Sequence, residues 1–278
     1  MPIRAREDSR SEVQLANCLS NPLVNYDIRR HIPDILAAVG SQVAVTVLVE
    51  NIDQKDPSVR NASIRALNRL RRQGRDLRFD DQAVVHCILQ EARRHLNMLA
   101  ALYHQINARQ TAVPSAADTT VLSLRQKLAG EIEKRLDVNL ERIFSLLGLK
   151  YPVGDISRAY QGLVSGQPDL RANAIEFLDN VLDTDLKRTL IPIVETALMD
   201  RMIEQTILRL GAKIPSEMDA FALMLPEADA DLQVQALDLI AQLGDPAYAG
   251  LVAELMAIAH PRVRAAASGL LRRFGYLV

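Results

Sequence analysis

Apolar residues recur every three or four positions along most of the chain, the spacing that lines one face of a helix. Five stretches share one opening: DIRRHIPDILAAVG (Asp27–Gly40), SVRNASIRALNRL (Ser58–Leu70), DLRANAIEFLDNVL (Asp169–Leu182), DLQVQALDLIAQLG (Asp231–Gly244) and RVRAAASGLLRRFG (Arg262–Gly275). Each begins with an aliphatic anchor, in turn Ile28, Val59, Leu170, Leu232 and Val263. The next residue is Arg29, Arg60, Arg171, Gln233 or Arg264. Ile28 to Val59 and Leu232 to Val263 are both steps of 31 residues, and Leu170 to Leu232 is twice that. A weaker copy, Met199–Gly211, lies between. A fixed period of this length predicts stacked helical units with the five anchors in equivalent buried places.

The punctuation repeats too. Pro57, Pro168 and Pro261 stand two residues before an anchor, where a missing N–H costs a starting helix nothing. Asp56 precedes Pro57 as a predicted N-cap. Gly40, Gly211, Gly244 and Gly275 follow the last apolar residue, where a helix stops by turning left-handed. Each unit needs a second helix to cover its apolar stripe. SQVAVTVLVENID follows Gly40 and DPAYAGLVAELMAIA follows Gly244. Val43, Val45, Val47 and Val49 alternate as in a strand, but Val45, Leu48, Val49 and Ile52 also make a helical face, and helix is the reading adopted.

Between the two repeat blocks the period fails. Residues 81–108 predict one long helix with Val85, Ile88, Ala92, Leu96, Leu99, Tyr103 and Ile106 on its seam. A polar loop, Asn107–Thr120, leads into a second, which runs to Leu147 with Leu128, Ile132, Leu136, Leu140, Ile143 and Leu147 on its seam. The pair is expected as an antiparallel hairpin, either a lengthened repeat or a docking element.

Paired helices of about 30 residues, the first opened by DPSVR, resemble the HEAT-repeat family. The resemblance covers Tyr26–Arg72 and Pro168–Gly275, and Pro33 matches the proline that bends the first helix in many such units. It implies an all-α, armadillo-like right-handed α-solenoid, here one domain over 1–278, with N-terminal repeats in 1–80, the long hairpin in 81–148 and C-terminal repeats in 149–278. A narrower stretch, Leu124–Glu195, is similar to the solenoid segment of some large bacterial proteins. There it is fused to a nucleotide carrier of ATP/ADP-translocase type, sometimes with a cyclic-nucleotide-binding module. That resemblance implies a soluble segment of a membrane protein; no carrier helices are present in this chain, so transport is assigned to none of its residues.

Composition narrows the chemistry. Of 278 residues, 49% are hydrophobic and 24% charged, with no Trp and 4% aromatics, a helical rather than β-sandwich or disordered balance. Net charge is −1, so no global field favours nucleic acid, and any electrostatic partner must be met by a local patch. The N-terminus mixes acids and bases like no signal peptide, and no apolar run reaches membrane-spanning length. Two cysteines, Cys18 and Cys87, are too few for a disulfide framework and suit a reducing, cytoplasmic setting. They are expected reduced and apart.

Candidate chemistry is thin. His86, His95 and His104 recur at nine-residue steps along one helix, which turns neighbours to opposite faces, so no metal site is expected. His31 and His260 suit caps or surface. There is no nucleophile elbow, no phosphate-binding Gly-Lys loop and no dinucleotide fingerprint, and the pairs Asp183/Asp185 and Asp229/Asp231 stand at helix starts, where capping explains them. The chain is therefore read as a non-catalytic scaffold or regulatory domain without a cofactor.

One cluster invites a ligand. Arg69, Arg71, Arg72, Arg75 and Arg78 crowd into ten residues after Arg60 and Arg65, with Arg93 and Arg94 in the next helix. Arg60 repeats at equivalent positions and is assigned to pairing with acids between repeats. The others either form a solvated helix exit that suits the negative helix end, or hold an acidic partner protein, a phosphate or a lipid head group, with nucleic-acid binding through the 60–78 cluster as the rival reading. The C-terminal LLRRFGYLV stops one helix into a unit and leaves Phe274, Tyr276, Leu277 and Val278 to be covered, as expected of a fused domain or a docking end.

Overall fold

The computed structural model describes the chain except residues 1, 22, 55, 74–75, 112–115, 197–206, 208–212, 259 and 277–278. Among the described residues every regular element is helical and there is no strand. The Val-rich segment after Gly40 is helical despite its alternation, because Ala44, Val45, Val47, Leu48 and Val49 are all buried when it coils.

Two compact units divide the chain. The first contains α1 (Pro2–Ser20), α2 (Tyr26–Arg29), α3 (Ile32–Val39), α4 (Gln42–Glu50), α5 (Pro57–Arg72), α6 (Asp81–Thr111) as far as Ala92, α7 (Ala116–Lys150) from Leu140, α8 (Val153–Val164), α9 (Pro168–Val181) and α10 (Thr184–Thr196). In it α1 packs on α3 and α4, α5 packs on α3 and α4, and α9 packs on α8 and α10. Lys150 with Asp81, and Arg142 with Glu91, show α7 running antiparallel to α6.

The second unit holds the rest of α6 and α7, then α11 (Glu217–Met224), α12 (Ala230–Leu243), α13 (Ala249–Ile258) and α14 (Pro261–Arg273). Here His95 meets Asn139 and Arg125 meets Gln105, so the two long helices are antiparallel in this unit as well. α14 packs on both α12 and α13. Its core joins Leu99, Leu128 and Ile132 to Phe221, Ile240, Val252 and Leu270.

The caps are where the sequence places them. Asp56 accepts from the Ser58 and Val59 N–H groups, and Pro57, Pro168 and Pro261 open their helices. Gly40 and Gly244 close α3 and α12 at φ 70° and 65°, a left-handed backbone that a Cβ disfavours. Gly211, with most of the weak copy around it, lies outside the described residues.

Three expectations are corrected. Val59, Leu232 and Val263 are buried, but Ile28 is 58% and Leu170 43% exposed. The first copy breaks after α2, and α3 starts afresh at Ile32, so Ile32 and Leu36 take the buried positions. Pro33 thus sits at the start of α3 rather than at a bend within one helix. In α9 the main chain makes the close approach: a Cβ at Gly162 of α8 would lie 2.9 Å from the Leu170 carbonyl oxygen. The Leu170 side chain is left outside while Ala174 and Leu178 are buried. The polar loop Asn107–Thr120 is mostly helical, since α6 reaches Thr111 and α7 starts at Ala116. Phe274, finally, packs partly buried against the second core, whereas Tyr276 is exposed.

After four of the five anchors, the next residue has a role that acid pairing does not describe. Arg29 Nε donates to the Leu19 carbonyl at 3.1 Å, Arg60 Nη1 to that of Gln54 at 2.6 Å, and Arg171 Nε to that of Leu163 at 3.2 Å. Gln233 Nε2 donates to the Leu225 carbonyl at 2.7 Å. Each ties its helix to a main-chain oxygen six to ten residues upstream, near the end of the preceding segment. Among the described residues Arg60 alone of these four is also paired with an acid, Glu91, at 3.2 Å.

Candidate functional site

α5 ends in an arginine-rich last turn with Arg69, Arg71 and Arg72. Its inner face buries Val59, Ile64, Leu67 and Leu70, which leaves Arg65, Arg69 and Arg72 outward at helical spacing. Arg71 and Arg78 are exposed too, and Arg75 lies outside the described residues. The Arg71 guanidinium lies 5.5 Å from the Phe79 ring centroid, a cation–π contact that orients it. Arg78 is fixed through its main chain: Gln42 Nε2 donates to its carbonyl at 2.7 Å, and its N–H donates to Gln42 Oε1 at 2.9 Å. Arg69 pairs with Asp34 of α3.

Charge pairing separates these arginines from most others. Arg30, Arg158, Arg188 and Arg262 each meet a carboxylate at the surface, whereas no described carboxylate stands within ion-pair distance of Arg65, Arg71, Arg72 or Arg78. Arg93 and Arg94 do not extend the cluster; they belong to the second unit and both reach Glu227. Arg60 is excluded as well. It is 2% exposed, and Glu91, fully buried, receives it together with Arg142 at 2.9 Å; Arg142 in turn donates to Asn61.

Glu91 was not singled out by the sequence reading, though a signal existed. It falls on the apolar seam of α6, three residues after Ile88, as His95 does at seven. A polar residue on a buried seam must find a partner on the facing helix. His95 Nδ1 accordingly meets Asn139 Oδ1 at 2.8 Å, and Arg125 on the α7 seam binds Gln105 and Glu217. Burial opposes the charge of Glu217, but Arg125 outweighs it and holds this carboxyl below its ordinary range. Burial likewise opposes Asp229, which Arg135 and the Leu232 N–H hold low. Asp229 caps α12 as expected, while Asp183, Asp185 and Asp231 are in ion pairs. Burial, with Glu217 close by, pushes the Tyr248 phenol up to about 12.

A shallow depression of 380 Å³ in the first unit is lined by Asp81, Gln82, Val85, His86, Leu89, Lys150 and Asp183. Its charges are engaged with one another: Lys150 lies 3.3 Å from Asp81 and 3.2 Å from Asp183. Burial disfavours the ammonium, but the two carboxylates prevail and keep its pKa high. His104 Nε2 bonds the Pro215 carbonyl, and His260 caps α14 through the Arg262 N–H. Among the described residues no group of three or more His, Cys, Asp or Glu is arranged to hold a metal ion. Cys18 is exposed and Cys87 buried, and no described helix is long and apolar enough to cross a membrane.

No family model matches the chain, and neither a curated protein nor a solved structure is significantly similar to it.

Proposed function

We propose that the chain is a non-catalytic interaction scaffold of HEAT-like helical repeats, and that the arginine end of α5 holds the carboxylates of a protein partner or fused domain. The observation that carries this reading is the exposed set Arg65, Arg71, Arg72 and Arg78, with no described carboxylate in ion-pair distance. In a chain of net charge −1, leaving these four unmatched at one place, whereas Arg30, Arg158, Arg188 and Arg262 are matched, favours a ligand there. Guanidinium forks fit carboxylates two bonds at a time. The solenoid reading is supported by the shared caps, the 31-residue step and the repeated donor after four of the five anchors. A free phosphate or lipid head group offers the same acceptor geometry and is the competing ligand.

The test is direct. Labelled poly-L-glutamate should bind the wild-type chain at low salt and be released as salt rises. Arg71→Ser/Arg72→Ser should weaken that binding severalfold. Preference for inorganic phosphate or phosphatidylserine vesicles over poly-L-glutamate would reassign the arginines to the competing ligand.

A further inference from the structure

We infer that the exposed face of α3 and the arginine end of α5 form one docking surface for an acidic amphipathic helix of a partner protein. This rests on the scaffold reading and narrows it to one surface and one ligand chemistry. α3 buries Ile32, Pro33, Leu36 and Ala37 and still presents Ile35 and Val39, 48% and 41% exposed, one turn apart. Val43, 41% exposed, follows in the first turn of α4. Two contacts tie this apolar stripe to the arginines. Asp34, beside Ile35, holds Arg69; Gln42, beside Val43, bonds both main-chain groups of Arg78.

A stripe of aliphatic residues one turn apart accepts the apolar ridge of another helix. The arginines beside it call for carboxylates along the flank of that helix. Charge complementarity therefore sets the occupant: aliphatic at i and i+4, Asp or Glu on the flank. An anionic membrane fits less well. The stripe carries no aromatic anchor of the kind that seats a protein at a lipid interface.

The probe is a designed helical peptide with leucines at i and i+4 and glutamates on both flanks, compared with a scrambled peptide of the same composition. The wild-type chain should bind the designed peptide about tenfold more tightly than the scramble, since only the former presents an apolar ridge. Arg71→Ser/Arg72→Ser and Ile35→Ser/Val39→Ser should each weaken designed-peptide binding by about tenfold. Hydrogen exchange on the wild-type complex, which needs no variant, should show protection in α3 and the last turns of α5. Equal binding of both peptides, lost only in the arginine variant, would overturn this inference and leave the scaffold reading intact. Binding to phosphatidylserine vesicles but to neither peptide would overturn both. So would protection confined to other helices, for the surface assigned here.

Discussion

At the scale of single residues, buried charge decides more than exposed charge. Glu91 is fully buried between Arg60 and Arg142, so removing its charge strands two cations in low dielectric. Glu91→Gln should cost about 3 kcal/mol, read as a lower denaturation midpoint with unchanged slope. Gln233→Leu would remove a buried hydrogen bond to the Leu225 carbonyl, which keeps the Ala228 N–H, and should cost about 1 kcal/mol by the same measurement. Acid should expose Glu217 and Asp229. Their folded pKa values are depressed below 4.5 and 3.8, so the unfolded chain takes up protons first. Their contribution is complete above those values and is lost as pH falls through and below them. Thermal melts from neutral pH downward should show that decline, and Arg125→Met should lower stability at neutral pH while flattening it. Of these residues only Arg60 and Gln233 stood out in the sequence, because they repeat. Glu91 and Glu217 did not, because their partners are distant in sequence and a pattern of period and caps says nothing about which seams face one another.

Among elements, the legible features were local ones. Caps at Asp56, Pro57, Gly40 and Gly244, and the seams of α6 and α7, depend on neighbours within a turn or two and stood as read. The break between α2 and α3, and the outward Leu170, depend on what packs alongside, and there an equivalent sequence position did not mean an equivalent burial. Gly162 is the clearest case. Nothing in its local sequence marks it, yet α8 and α9 meet there with the Leu170 carbonyl in the space a Cβ would need. Gly162→Ala should therefore destabilise the first unit by about 1–3 kcal/mol despite the higher helix propensity of alanine. Gly154→Ala in the same helix, with open space around it, should be neutral or mildly stabilising. Equal effects of the two in chemical denaturation would contradict the close approach.

For the whole molecule, the helical class was readable from period and punctuation, and the long antiparallel helices from their seams. The division into two units was not, since α6 and α7 contribute to both and the period simply lapses there. The candidate surface was half readable. Arg69, Arg71, Arg72, Arg75 and Arg78 stand out by crowding alone, but which of the described ones face an acid, and which apolar residues lie beside them, required the fold. The most direct measurement of the central claim pairs a thermal melt with poly-L-glutamate binding in Arg71→Ser/Arg72→Ser. Exposed arginines contribute little to folding, so the melting temperature should stay within a degree or so of wild type while binding falls severalfold and loses salt sensitivity. A sharp drop in melting temperature with binding unchanged would mean that these arginines hold the fold and not a partner.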